Sequence, residues 1–292
     1  MVRRSILFSP GDRPEMLRKA PEAGADVIVF DLEDAVAPER KSAAREAVRA
    51  VLTDPSFDPD PEVCVRVNPV GAADSSNATD DLEFLLPAAA PDSVMVPKVA
   101  DAATVERIEA LLVEHDLDLP VLPVIESAAG VLDAPAIAET SVTDALVFGA
   151  EDLAADLGAT RTAEGTEVLY ARQRVVVAAS AAEVSAIDTV YTDFEDTAGL
   201  REETMFAVQL GFDGKLAIHP AQVDPINESF TPDQARIDWA TRVLEAREEA
   251  AVEGVGVFRV DDEMIDAPLI AQAERIVARA RAAGHDIDLE GL

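Results

Sequence analysis

The side chains of this chain that could do chemistry gather just after a series of short apolar runs. Asp31, Glu33 and Asp34 follow one run, Arg66 and Asn68 close the next, and Lys98 follows another. Glu126 and Ser127, then Glu151 and Asp152, then Asp193 and finally His219 continue the series. Carboxylates dominate the set. Acids that face one cavity repel each other until a cation or a proton neutralises them. Oxygen donors with few histidines suit a hard ion such as Mg²⁺, with Mn²⁺ as the alternative; Mg²⁺ takes one or two carboxylates and keeps water or substrate in its other positions. Glu126 and Asp152 form the best pair, because they follow the strongly apolar runs VLPVI and ALVF. Acids at strand-to-helix turns also act as helix caps. Position alone therefore leaves both roles open.

The cations divide in the same way. Arg66, inside VRVN, needs a counter-anion, which is either a fixed acid or a substrate carboxylate. His219, inside IHP, is either a general base or a hydrogen-bonded part of the framework. Lys98 lacks the apolar surround that Schiff-base chemistry needs, and reads as a cation at the rim. Near the N-terminus, PGDRP supplies a glycine turn, with Arg13 and Lys19 placed where they could hold a phosphorylated group. A solvated helix face is the alternative there.

Eight apolar runs, 5–8, 27–32, 63–67, 93–96, 121–125, 145–148, 187–191 and 215–218, must position these groups. Helix-like stretches such as 38–52, 103–115, 166–184 and 200–211 lie between them. Alternating strands and helices make an α/β fold with a parallel sheet, and eight strands close a (β/α)8 TIM barrel. An open doubly wound sheet is the rival, but no glycine-rich phosphate-binding fingerprint follows any run. In the closed barrel the carboxyl ends of the strands meet in one mouth. The segments 54–60 and 71–80 read as loops. Beyond the last run, TPDQ at 231–234 resembles a capping box, opening a helix that should reach about Gly254. A β-like piece at 255–260 follows, then a helix with Leu269, Ile270, Ala273, Ile276, Val277 and Ala280 on one apolar face. The expected organisation is a barrel with the active site over 1–230 and a C-terminal helical arm over 231–292 that contacts a neighbouring subunit.

Composition narrows the function. The 57 acidic and 24 basic residues leave a net charge of −33, which repels nucleic acid and anionic membranes. The acids are dispersed rather than gathered in a tail, which suits a protein adapted to high salt, where self-repulsion is screened. A cytoplasmic, halophilic protein is expected, since no run approaches a membrane span and MVRR leads straight into a strand-like segment. The single cysteine, Cys64, lies in an apolar run and reads as a buried core thiol.

The ordered series SPGDRPEML, DVIVFDLEDAVAP, VRVN, VPKV, IESAAG, VFGAEDLAADLG and GKLAIHPAQV resembles the citrate lyase β-subunit/malyl-CoA lyase group of the HpcH/HpaI aldolase/citrate lyase family. MIDAPL at 264–269 looks like that family's C-terminal motif. The resemblance implies that Glu126 and Asp152 hold Mg²⁺ and that Arg66 binds substrate oxygens and stabilises developing negative charge. It implies that Phe8, Arg13 and Lys19 contact substrate or CoA, and that Glu151, Asp152, Ile218 and His219 line the same site. Asp266, which read alone is a helix N-cap, would reach a neighbouring subunit's site and handle the proton on the thioester's α-carbon. The implied reaction is reversible cleavage of β-methylmalyl-CoA or malyl-CoA to glyoxylate and propionyl-CoA or acetyl-CoA, in a trimer or hexamer. Its partners would be an acyl-CoA and a small 2-oxo acid. Citrate lyase β-subunit and citramalyl-CoA lyase activities are the alternatives within the family; a malyl-CoA thioesterase and a non-catalytic scaffold are those outside it.

Overall fold

The computed structural model describes residues 2–71 and 77–287. Eight parallel strands, β1 (Ser5–Pro10), β2 (Val27–Asp31), β3 (Glu62–Arg66), β4 (Ser93–Val96), β5 (Val121–Ile125), β6 (Ala145–Phe148), β7 (Ser185–Asp188) and β8 (Gly214–Ala217), form a closed barrel. Closure is made by β1 on β8, with Ser5, Ile6 and Leu7 opposite Lys215, Leu216 and Ala217. Around it run α1 (Pro14–Lys19), α2 (Lys41–Leu52), α3 (Ala78–Leu85), α4 (Ala102–Glu114), α5 (Ala128–Ala138), α6 (Ala150–Leu157), α7 (Leu169–Ala181) and α8 (Thr197–Leu210). The expected α/β barrel is the observed one.

Side chains alternate along each strand. Val27 and Val29, Cys64, Met95, Leu122 and Val124, Val147, Ile187 and Leu216 fill the barrel's interior. Their neighbours in the strands are buried as well, because helices cover the outside, and this is why the runs read as continuously apolar. Cys64 is fully buried in this interior, and burial pushes its thiol up to about 12.

Local differences from the sequence reading have physical causes. The apolar run at 187–191 suggested a strand, yet β7 ends at Asp188; Val190 instead packs against the barrel interior from the following loop. Within the stretch 71–80, residues 72–76 lie outside the described residues. The loop reading fails at its end, where Asn77 caps α3 by accepting from the Asp80 N–H at 3.0 Å.

The chain divides into two compact units, one of Arg3–Asn227 and one of Glu228–Leu292 with Met1–Val2. Helix α9 (Val223–Phe230) follows the barrel, and then come α10 (Gln234–Glu253), the antiparallel pair β9 (Phe258–Val260) and β10 (Glu263–Ile265), and α11 (Ala267–Ala282). Asp233, not Thr231, caps α10: its carboxylate accepts from the Arg236 N–H at 2.8 Å. The C-terminal unit has its own core, made by Ala240, Val243 and Leu244 against Ala273, Ile276 and Val277, with Val260 and Ile265. Among the described residues no helix is long and apolar enough to cross a membrane.

Candidate active site

Strand parity builds the site. Phe8, Asp31, Arg66 and Glu126 each stand two residues beyond an interior position, after Ile6, Val29, Cys64 and Val124. All four therefore face inward at the carboxyl end of the barrel. Asp31 takes the side of the Arg66 guanidinium in a bidentate pair, accepting from Nε at 2.7 Å and from Nη2 at 2.6 Å. Glu33 Oε2 lies 3.0 Å from Nη1, and the Phe8 ring lies under the guanidinium with its centroid 4.6 Å from Cζ. Fixed acids thus supply the counter-anion that the sequence left open for Arg66, since Asp31 takes Nε and Nη2 and Glu33 takes Nη1; a ligand oxygen would share the second N–H that each terminal nitrogen carries.

Lys98 bridges to the other half. Its Nζ donates to Glu33 Oε1 at 2.8 Å, and its backbone N–H donates to Glu126 Oε1 at 2.7 Å. Buried Lys41 donates to the Leu32 and Glu33 carbonyl oxygens at 2.7 and 2.6 Å, fixing the turn that carries the acids. Gly11 lets the first strand-to-helix turn close on this cluster, since a Cβ there would stand 2.6 Å from the Asp31 carbonyl oxygen.

Glu126 is 7 % exposed and its carboxyl is pushed up to about 8, first by burial and then by Asp152 and Glu33, against the pull of the Lys98 N–H and of Arg66. Asp152, by contrast, is exposed in the first turn of α6, where the helix dipole favours a negative charge. Glu33 is also pushed up by burial, against the pull of Arg66 and Lys98.

Asp31, Glu33, Asp34, Glu126 and Asp152 are set against Lys41, Arg66 and Lys98, so five carboxylates face three cations. A divalent ion would offset that excess and take the place of the proton that burial favours on Glu126. Among the described residues no three His, Cys, Asp or Glu side chains cluster as ligands. Two carboxylates with open positions fit Mg²⁺, which keeps several waters or substrate oxygens. Gly149 gives Glu126 its room: a Cβ there would meet Glu126 Oε2 at 2.6 Å and its Cβ at 2.7 Å. With φ at −108°, alanine suits the backbone at this position, so Gly149→Ala tests that contact alone. We expect Mg²⁺ affinity to fall by about tenfold or more, read by calorimetric titration, with the far-UV spectrum unchanged. Affinity equal to the parent's would show that Glu126 moves aside freely.

The remaining residues are placed as follows. Arg13 and Lys19 are exposed on the first turn and helix, and Arg13 Nη1 donates to the Met16 sulfur at 4.0 Å. Glu151 pairs with Arg161 at 2.9 Å, and Arg161 also pairs with Glu167, whose carboxyl is held down near 2 by Thr162 and Arg161 against desolvation. Ile218 and His219 are exposed after β8. His219 Nδ1 accepts from the Ala221 N–H at 3.2 Å, and its ring stacks on Phe194 at 5.0 Å, so it serves the framework. Asn68 is spent on Asp81, which Arg45 also holds. Ser127 caps α5. Asp193 is exposed in the loop after β7 and helps line a cleft of 1030 Å³ that also includes Glu151 but neither Glu126 nor Asp152. Five acids against two arginines line that cleft, so it does not suit a phosphorylated group. Asp266 sits in the C-terminal unit as the N-cap of α11, its carboxylate accepting from the Leu269 N–H at 3.4 Å.

Sequence reasoning missed Lys41, Gly149 and the amide of Lys98. A glycine directly after an apolar strand was the visible signal for Gly149; a backbone amide leaves none.

A barrel with carboxylates and a clamped arginine at its mouth fits a CitE-like carbon–carbon lyase. Residues 4–220 match the HpcH/HpaI aldolase/citrate lyase family, and the chain belongs to it. The mitochondrial citramalyl-CoA lyase of Homo sapiens is 37% identical over 296 residues, covering 95% of this chain and 85% of that protein. Citrate lyase subunit beta of Escherichia coli K12 is 39% identical over 291 residues, covering 97% and 95%. The crystal structure of CitE from Mycobacterium tuberculosis in complex with magnesium, acetoacetate and coenzyme A is similar with a TM-score of 0.78 and 36% identity, covering 96% and 98%.

Proposed function

We propose that the protein is a Mg²⁺-dependent lyase that reversibly cleaves a 3-hydroxyacyl-CoA, β-methylmalyl-CoA or malyl-CoA, to glyoxylate and propionyl-CoA or acetyl-CoA. The observation that carries the reading is the excess of carboxylates at the mouth, where buried Glu126 lies close enough to Asp152 and to the clamped Arg66 to feel both charges. Glu126 and Asp152 would hold the ion, and Mg²⁺ when bound polarises the oxygens of the hydroxy acid. As the bond between the α- and β-carbons breaks, its electron pair passes to the thioester, and a carbonyl forms where the hydroxyl stood as the hydroxyl proton passes to water. Arg66, already aligned by Asp31, stabilises the negative charge that grows on oxygen without reorganising. Asp266 of a neighbouring copy supplies the proton that the α-carbon takes up, and removes it in the condensation direction. Phe8 holds the guanidinium plane, while Glu151, Ile218 and His219 border the mouth.

Arg13 and Lys19 have no acidic partner among the described residues, in a chain with 57 acids. Two exposed cations on the first turn and helix support binding of a CoA phosphate, and favour free CoA esters over a carrier-protein thioester. The human relative's name favours citramalyl-CoA as the second reading within the same chemistry. A homo-oligomer is supported by the exposed Val255, Val257 and Met264 near Asp266 in the sequence. The net charge of −33 supports work in high salt.

Purified protein incubated in molar salt with malyl-, β-methylmalyl- and citramalyl-CoA, with and without Mg²⁺, tests the reading. Mg²⁺-dependent release of a 2-oxo acid with an acyl-CoA is the expected result. Free CoA appearing with an intact hydroxy acid would mark a thioesterase. Silence toward every ester, in both directions, would mark a scaffold.

A further inference from the structure

Lys98 touches both halves of the site with different parts of itself. Its ammonium is tied to Glu33 Oε1 at 2.8 Å, and its amide points at Glu126 Oε1 at 2.7 Å. It does so with φ at 55°, a left-handed conformation that a residue with a Cβ adopts at a cost. The other oxygen of Glu33 faces Arg66 Nη1 at 3.0 Å, so a single buried carboxylate joins the two cations.

We propose that Lys98 is a positioning residue: its ion pair with Glu33 holds the left-handed turn that aims its amide at Glu126, so that the Arg66 half and the metal half are set together. This rests on the assignment of Glu126 and Asp152 as Mg²⁺ ligands. Charge alone argues for the opposite effect. The Lys98 ammonium repels a cation bound nearby, so by Coulomb's law any variant lacking it should bind Mg²⁺ more tightly. The clamp reverses that sign for alanine. Without the tie to Glu33, alanine relaxes to negative φ and withdraws the amide from Glu126. Glycine adopts positive φ at no steric cost, and keeps the turn without the ammonium.

Calorimetric Mg²⁺ titration of the full chain, free of substrate, separates the two accounts. Lys98→Ala should bind Mg²⁺ about tenfold more weakly or worse, the loss typical of a group that orients a metal ligand. Lys98→Gly should bind as the parent does, or more tightly. Alanine binding as tightly as the parent would overturn the clamp, and so would glycine losing as much as alanine. A parent protein that binds no Mg²⁺ would refute the metal assignment instead, so the two failures are distinct.

Discussion

Asp152→Ala is expected to abolish Mg²⁺-dependent cleavage, lowering kcat/KM by about a thousandfold or more, with the unfolding midpoint close to the parent's. The two effects separate because of where Asp152 stands. It is exposed in the first turn of α6, and Gly149 rather than a side chain occupies the N-cap. Losing a carboxylate there forfeits only its interaction with the helix dipole, about 0.3–1 kcal/mol. Glu126 is a poorer probe: it is buried, abuts Gly149 and accepts the Lys98 amide, so its removal also strands a backbone donor. Initial rates on the active ester, measured across Mg²⁺ concentrations, check the prediction alongside circular dichroism. Substantial turnover by the alanine variant at saturating Mg²⁺ would remove Asp152 from the metal site and leave the mouth with a single ligand.

Much of this was legible because the barrel repeats one rule eight times. Short apolar runs between helix-like stretches located the strands, and the residues at their carboxyl ends had to gather at the mouth. Asp31, Arg66 and Glu126 follow from that rule alone, whereas Phe8 came only with the family resemblance. What the rule cannot show is pairing at long range: Asp31 and Arg66 stand 35 residues apart and meet only because β2 and β3 are neighbours. Nor can residue types show that Lys98 acts through its amide, which depends on a φ value. The run at 187–191 misled because Val190 packs on the interior without belonging to the ladder. Lysine scarcity was an unused signal. Of the four lysines, Lys41 fixes the backbone of the turn that carries the mouth's acids, Lys98 pairs with Glu33, and Lys215 is buried among charges outside the barrel.

That last cluster carries the largest stability effect. Asp188 faces away from the interior, where Ile187 points, and meets Arg172 of α7 at 2.8 and 2.7 Å and Lys215 of β8 at 2.8 Å. Glu203 of α8, 3.1 Å from Lys215, completes two acids against two cations. Asp188 and Lys215 are wholly buried. Burial by itself would raise the Asp188 carboxyl, but Lys215 and Arg172 outweigh it and hold it below the ordinary 3.8. Asp188→Asn leaves two buried cations facing each other with only half-buried Glu203 between them, and should cost about 3–5 kcal/mol of unfolding free energy at neutral pH. Lys215→Met should cost less, because the bidentate Arg172–Asp188 pair survives it. The sign with pH follows from the depressed carboxyl. Its stabilisation is complete above the unfolded-state value and is lost as pH falls through the lower folded-state value, so the gap between parent and Asn variant should narrow only in strong acid. Added salt should stabilise both proteins by screening the −33 surface charge, yet leave their difference intact, because ions do not reach a buried pair. Denaturant unfolding at two pH values and two salt concentrations reads all of this. A neutral-pH loss below about 1 kcal/mol, or a difference that vanishes in molar salt, would show that the cluster behaves as an exposed ion pair.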